Sequence, residues 1–210
     1  MDSPTVRPRR DEYAEQTRAA VIDAARRLFA ERGFFKTKVE EIAKQSRVSP
    51  ATVYAQCGGK HGLLQSLMDG FSQTPEADQT VLDTLAGDDA VLVMRILTTA
   101  YLQITEAWGD VIKVVIDVAP HDPVSKGLLA VAQQRHDEKL SAICRHLEDI
   151  GALREDVDAV SATQIITYYY GLDGLLRARE VFGWSLERSN EWLSETVSAA
   201  VLRYPATSGM

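Results

Sequence analysis

The stretch that most constrains this chain runs from Thr37 to Lys60 and reads TKVEEIAKQSRVSPATVYAQCGGK. Val39, Ile42 and Ala43 recur at helical spacing with Glu40, Glu41, Lys44 and Gln45 around them, which predicts a short helix with one apolar face. Ser49 then restarts the chain as an N-cap, and Pro50 follows at the first helical position, where its missing N–H costs nothing. In this second helix Val53 points inward, while Pro50, Ala51, Thr52, Tyr54 and Gln56 lie along the outer side. Two short helices about a turn of roughly three to four residues, the second with a small, polar N-terminal face, make a helix-turn-helix. Such a unit sends its second helix into the DNA major groove, N-terminal residues first.

Thr37 to Ala43, then Val48-Ser49, Thr52-Val53-Tyr54 and Lys60, resemble the DNA-binding domain of the tetracycline-repressor (TetR) family. Phe29-Ala30-Glu31-Arg32-Gly33-Phe34 is similar to the way the first helix ends in that family. The resemblance covers about the first third of the chain. It implies an all-α fold, with an N-terminal three-helix helix-turn-helix domain joined to a C-terminal helical bundle for ligand binding and dimerisation. Three departures stand out. Ser46-Arg47 replaces the usual Ala-Gly, Gln56-Cys57 replaces an aromatic pair, and His61 replaces an acidic residue. Gly suits a turn with positive φ, where another residue costs about 1–2 kcal/mol. Either Arg47 accepts that strain or the turn is built differently.

A net charge of −7 argues against DNA binding until it is divided along the chain. Up to Met68 there are 12 Lys and Arg against 8 Asp and Glu, and the remainder holds 11 against 22, so a module of +4 precedes a body of −11. That asymmetry suits a chain of which one end touches a polyanion. With 210 residues, 45% of them hydrophobic, the chain can bury one small core and one larger one. No apolar run reaches the ~18–20 residues of a membrane span. The longest candidate, Val111 to Ala119, contains Lys113 and Asp117. Met1 to Arg10 has no apolar segment of a signal peptide, and two cysteines, Cys57 and Cys144, make no disulfide framework. A cytoplasmic protein with no membrane partner is expected.

In order, residues 1–12 form a basic arm with Arg7, Arg9 and Arg10, either a loose terminus or a contact to DNA. Residues 13–58 form the reader, 59–72 a connecting helix, 73–204 the body and 205–210 a tail. The first helix runs from about Tyr13 to Arg32, with Tyr13, Thr17, Ala20, Val21, Ala24, Leu28 and Phe29 on one stripe and Gly33 closing it. Leu63, Leu64, Leu67, Met68 and Phe71 mark the connecting helix, and Ser72 to Asp78 reads as a linker. A helix opened by Asp88-Asp89 is predicted to end at Gly109, with a short apolar helix from Asp110 to Val118. Further helices are predicted over Val124–Ile150, from Asp156 or Asp158 to Val181-Phe182, and from Ser185 to Arg203.

Candidate DNA contacts are Thr37, Lys38, Arg47, Ser49, Pro50, Ala51, Thr52, Tyr54, Gln56 and Lys60. Thr37 at a helix start could hold a phosphate or simply cap the helix. Thr52 and Gln56 have major-groove chemistry, and Tyr54 could fix register through its hydroxyl. For Lys60 the resemblance implies a phosphate contact. Cys57 reads as a small buried hydrophobe, against a redox switch for which only Lys60 and His61 could lower the thiol pKa.

The family resemblance implies a homodimer and a small-molecule pocket. The last two helices offer Ala162, Gly171, Gly174 and Ala178, then Trp192, Val197 and Val201, for an interface; the alternative is that these close the monomer core. Trp108, Ile112, Ile116, Asp117, His121, Tyr168, Tyr169 and Asp173 are candidate pocket residues. A buried Asp117 among rings could receive a cationic aromatic ligand, and an exposed one would have no such role. Catalytic motifs are missing, and His61, His121, His136 and His146 lack metal-ligand spacing, so neither an enzyme nor a metal or cofactor is expected. The expected protein is a homodimeric repressor, released from a palindromic double-stranded operator by a small hydrophobic or cationic aromatic ligand. The alternatives are a regulator without a small-molecule inducer, or a helical binding protein or enzyme with a vestigial reader.

Overall fold

The computed structural model describes residues 9–72 and 75–203, and every described regular element is helical. Ten α-helices follow in order: α1 (Arg9–Arg32), α2 (Val39–Gln45), α3 (Pro50–Cys57), α4 (Gly59–Ser72), α5 (Pro75–Leu85), α6 (Ala90–Val118), α7 (Pro123–Asp149), α8 (Ala159–Tyr169), α9 (Gly174–Phe182) and α10 (Leu186–Val201). A single 3-10 turn, Ala119–His121, separates α6 from α7. No described helix is long and apolar enough to cross a membrane. The chain divides into two compact units: Met1–Gly70 with Val114–Leu129, and Phe71–Lys113 with Ala130–Met210.

In the first unit α1 packs on α2 and α3 through Val21, Ala24, Ala25, Leu28 and Phe29, all buried. This stripe is shorter than expected, since Tyr13 is 73% exposed and Ala20 is also exposed. Arg9 and Arg10, placed in the basic arm, already belong to α1, and Arg7 lies outside the described residues. Gly33 closes α1 at φ 80°, its N–H donating to the Phe29 carbonyl at 2.9 Å. Buried Ile42, Val53, Leu63, Leu64 and Met68 complete this core with Phe34, whose ring lies 5.2 Å from that of Phe29.

The second unit closes around Met94, Leu140, Ile143, Leu147, Ile166, Leu193 and Val197, with α10 packed on both α8 and α9. Asp158 and Ser185 cap α8 and α10 by accepting from the N–H groups of Ser161 and Arg188. A polar thread runs through this core: Tyr101 Oη meets His136 Nε2 at 2.6 Å, and Tyr170 Oη donates to Asn190 Oδ1 at 2.9 Å. Burial raises both tyrosine pKa values, so both rings stay neutral and stack at 4.5 Å.

Three expectations are corrected here. Gly109 does not end a helix, because α6 runs through it. A Cβ there would come within 3.3 Å of Leu176 Cδ2, so the glycine serves a close approach to α9. Conversely, the helix expected up to Phe182 is interrupted between α8 and α9, where Gly171 takes φ 36°. Gly174 is required there because a Cβ would meet the Tyr169 carbonyl oxygen at 2.0 Å. The linker is also shorter than expected, since α5 already begins at Pro75, a residue suited to a first helical turn.

Candidate nucleic-acid interface

The α2–α3 turn shows how the chain does without glycine. Ser46 is the C-cap of α2, and Arg47 follows at φ 58°, the one described non-glycine residue with positive φ. Val48 N–H donates to the Ala43 carbonyl at 2.9 Å, and Arg47 N–H to that of Lys44 at 3.3 Å. This paired closure is a Schellman motif, which calls for a left-handed residue at the Arg47 position. The turn therefore keeps its usual shape, and Arg47 takes up the strain. Replacing Arg47 with Gly removes about 1–2 kcal/mol of strain and adds about 0.5–1 kcal/mol of chain entropy to the unfolded state. The expected net gain is roughly 0.5–1 kcal/mol, read as an increased urea midpoint of the first unit; a lowered midpoint would refute the strain.

Ser49 then caps α3 at φ −79° and ψ 153°, its Oγ accepting from Thr52 N–H at 3.1 Å. The Thr52 hydroxyl pairs with the same Ser49 oxygen at 2.8 Å, so the two side chains form one local unit at the helix start. Val53 and Cys57 face the core, leaving Pro50, Ala51, Tyr54 and Ala55 exposed on one side. Desolvation raises the pKa of Cys57, which fits a small buried hydrophobe and opposes thiolate chemistry.

Lys38 and Arg47 are exposed, as a phosphate partner must be. Lys60 is half-buried, with Nζ 4.3 Å above the Phe34 ring centroid, and desolvation lowers its pKa. Two candidates sit otherwise than expected. Thr37 is only 1% exposed, and its hydroxyl donates to the carbonyls of Gly33 and Leu28 at 2.9 and 3.2 Å. It ties down the end of α1 and is neither a cap nor open to a phosphate. The cap position of α2 belongs to Lys38, whose N–H donates to Glu41 Oε2 at 2.9 Å. Gln56 is half-buried, and its side-chain carbonyl oxygen is enclosed without a hydrogen-bond partner.

His61, in the first turn of α4, has its Nε2 3.1 Å from Asp122 Oδ1, and Asp122 also accepts from Ser125 N–H at 2.7 Å. Hydrogen bonding at Ser125, and then His61, hold the Asp122 pKa down to about 2. An unfolded Asp titrates near ~3.9. Because the folded value is the lower one, this carboxylate stabilises the first unit above about pH 4 and loses that contribution as pH falls towards 2. Asp122→Ala should flatten the fall in urea midpoint across that window; an unchanged acid profile would remove this role.

Residues 21–67 match the profile of the bacterial regulatory proteins of the tetR family, a segment reaching from α1 into α4 and containing the whole α2–α3 unit. Over 66 residues the chain is 36% identical to the HTH-type transcriptional regulator TtgR of Pseudomonas putida, which covers 31% of each chain. Residues 21–67 of the chain are a segment of the tetR-family type. Against YvkB of Bacillus subtilis, an uncharacterized HTH-type transcriptional regulator, identity is 31% over 98 residues, 47% of this chain and 50% of that one. These matches therefore span 31% to 50% of their relatives' length. The fold likeness extends further. SmeT, solved with triclosan, superposes with a TM-score of 0.74 at 20% identity over 93% of this chain and 98% of its own. NalD of Pseudomonas aeruginosa gives 0.72 at 19% over 91% and 98%.

The other candidate residues are divided between the two units. Trp108, Ile112, Tyr168, Tyr169 and Asp173 belong to the second unit, and Ile116, Asp117 and His121 to the first. Asp117 is exposed, so it needs no buried partner and the cation-binding argument built on it falls. Asp173 precedes α9 and pairs with Arg177 at 3.1 Å. His121 is exposed beside Phe35, and Tyr168 is 75% exposed. Among the candidate interface residues, Ala162, Gly174, Ala178, Val197 and Val201 are buried within a single chain. They close the monomer core, Gly171 serves the α8–α9 break, and Trp192 alone of the seven is exposed. Outward-facing apolar residues lie elsewhere: Val160, Tyr168, Val181 and Phe182 join Trp192 on α8, α9 and α10. A shallow groove brings Tyr168, Val181, Phe182 and Trp192 together. Sequence patterning missed this surface because both faces of these helices carry apolar residues.

Proposed function

We propose that this protein is a DNA-binding transcriptional regulator that reads a palindromic operator as a homodimer. The observation that carries the reading is α3, capped by Ser49, held by the Arg47 turn and presenting Pro50, Ala51 and Tyr54 outward. That geometry suits a recognition helix entering the major groove N-terminus first. Lys38, Arg47 and Lys60 supply phosphate partners, while Thr52 and Tyr54 offer base-edge and register contacts. Dimerisation through the Tyr168–Trp192 surface places two readers on a two-fold axis, with half-sites about 34–36 Å apart or a multiple of that.

Repression and release by a small molecule are the finer part of the proposal. NalD is described as a repressor of a multidrug efflux pump, as is SmeT of Stenotrophomonas maltophilia, and SmeT has been solved with triclosan. A hydrophobic ligand held in the helical body is the corresponding reading here. A releasing ligand must bind the DNA-incompetent state more tightly than the competent one. The test is selection from a random duplex pool at physiological salt, followed by titration of the enriched duplex with triclosan. An enriched palindrome supports the dimeric reader, and its loss with triclosan supports ligand release. Enrichment of a single unrepeated half-site removes the dimer, and no enrichment above a salt-sensitive background removes the reading.

A further inference from the structure

The last turn of an α-helix leaves four carbonyls without intrahelical donors. In α3 the Tyr54 carbonyl is taken by Gly58 N–H at 2.9 Å. The Gln56 carbonyl is taken by a residue far away in sequence, Arg18 of α1, whose Nη1 donates to it at 2.6 Å. The other terminal nitrogen, Nη2, donates to Ser66 Oγ at 3.0 Å, and that hydroxyl in turn donates to the Gly62 carbonyl at 2.8 Å. One guanidinium thus joins α1, the end of α3 and the second turn of α4. Its fixed fork suits two acceptors at once, and a cation at a helix C-terminus meets the negative end of the helix dipole.

We propose that Arg18 is a positioning residue for DNA recognition. It holds the C-terminal end of α3 against α1 and α4 and so sets the angle at which the outer face of α3 meets the groove. Its own charge is directed at protein carbonyl and hydroxyl oxygens, so it neutralises no phosphate. This role rests on the DNA-binding reading proposed above.

The test uses the full chain, the duplex enriched by selection and a scrambled duplex of equal length, each titrated at several salt concentrations. Arg18→Met keeps the stem and removes the fork; Arg18→Lys keeps the charge and can satisfy one acceptor. Arg18→Met should bind the enriched duplex about tenfold more weakly, the scale of a lost charge-assisted hydrogen bond. Binding to the scrambled duplex and the salt slope should not change, and Arg18→Lys should restore part of the discrimination. Hydrogen exchange of the amides from Tyr54 to Gly58 should speed up by a similar factor in Arg18→Met without DNA. A salt slope lowered by about one would make Arg18 a phosphate contact and overturn the proposal. Unchanged discrimination in Arg18→Met would overturn it too, whatever the exchange rates. A wild-type chain that discriminates between no duplexes would instead remove the DNA-binding reading, and this is seen before any variant is made.

Discussion

Gly62→Ala is expected to abolish DNA binding and to lower the stability of the first unit by about 3 kcal/mol or more, among the largest effects of single substitutions. A Cβ on Gly62 would lie 1.8 Å from the Cys57 carbonyl oxygen, and that oxygen belongs to the backbone of α3. No rotamer change relieves such a clash, so α4 would have to move away from the recognition helix. The junction has little freedom for that movement. Gly58 and Gly59 already occupy φ 69° and 75°, and Leu63 and Leu64 on the next positions are fully buried. Gly59→Ala makes a useful control, since its Cβ would meet the Tyr54 ring at 2.8 Å and that exposed ring can turn aside. Its cost should stay near the ~1–2 kcal/mol of backbone strain. Urea melts of the first unit, paired with binding to a selected duplex, check both. A Gly62→Ala chain that melts and binds as wild type would show that the α3–α4 junction is looser than its geometry.

The second large effect concerns assembly. Tyr168→Asp combined with Val181→Asp places two charges per chain on the exposed apolar surface of α8 and α9, and a two-fold interface meets both twice. On the homodimer reading proposed above, the pair is expected to turn that dimer into a monomer at micromolar concentration by light scattering. Operator affinity should fall by about 100-fold or more, because linking two readers multiplies affinity by roughly 10²–10⁴. Both side chains are solvent-exposed in the single chain, at 75% and 67%, so the melting of the isolated fold should change little. A double variant that remains dimeric would move the interface to another face.

What the chain discloses locally, and what it withholds, follows from the range of the forces involved. The caps at Ser49 and Ser185 and the closure at Gly33 were legible because each is decided within a few residues, and the start of α8 was narrowed to Asp156 or Asp158, of which Asp158 is the cap. The Arg47 turn was legible as a dilemma, with strain on one side and an altered turn on the other, and its hydrogen bonds decide for strain. Gly109 was misread because a helical glycine costs only about 1 kcal/mol, which packing readily offsets, and its partner Leu176 is remote in sequence. The His61–Asp122 and Arg18–Gln56 pairs went unnoticed for the same reason: their members lie 61 and 38 residues apart. Val197 and Val201 were read as interface because small and apolar residues at helical spacing suit a core as well as a partner, and the single chain already buries them.

The left-handed Arg47 sets two selective pressures against each other at one position. On the proposed reading its exposed guanidinium favours DNA, whereas its backbone favours glycine. A laboratory screen for heat-resistant variants should therefore recover glycine there, while a screen for operator occupancy should reject it. On that reading, the arginine marks a site where DNA binding and stability call for different residues.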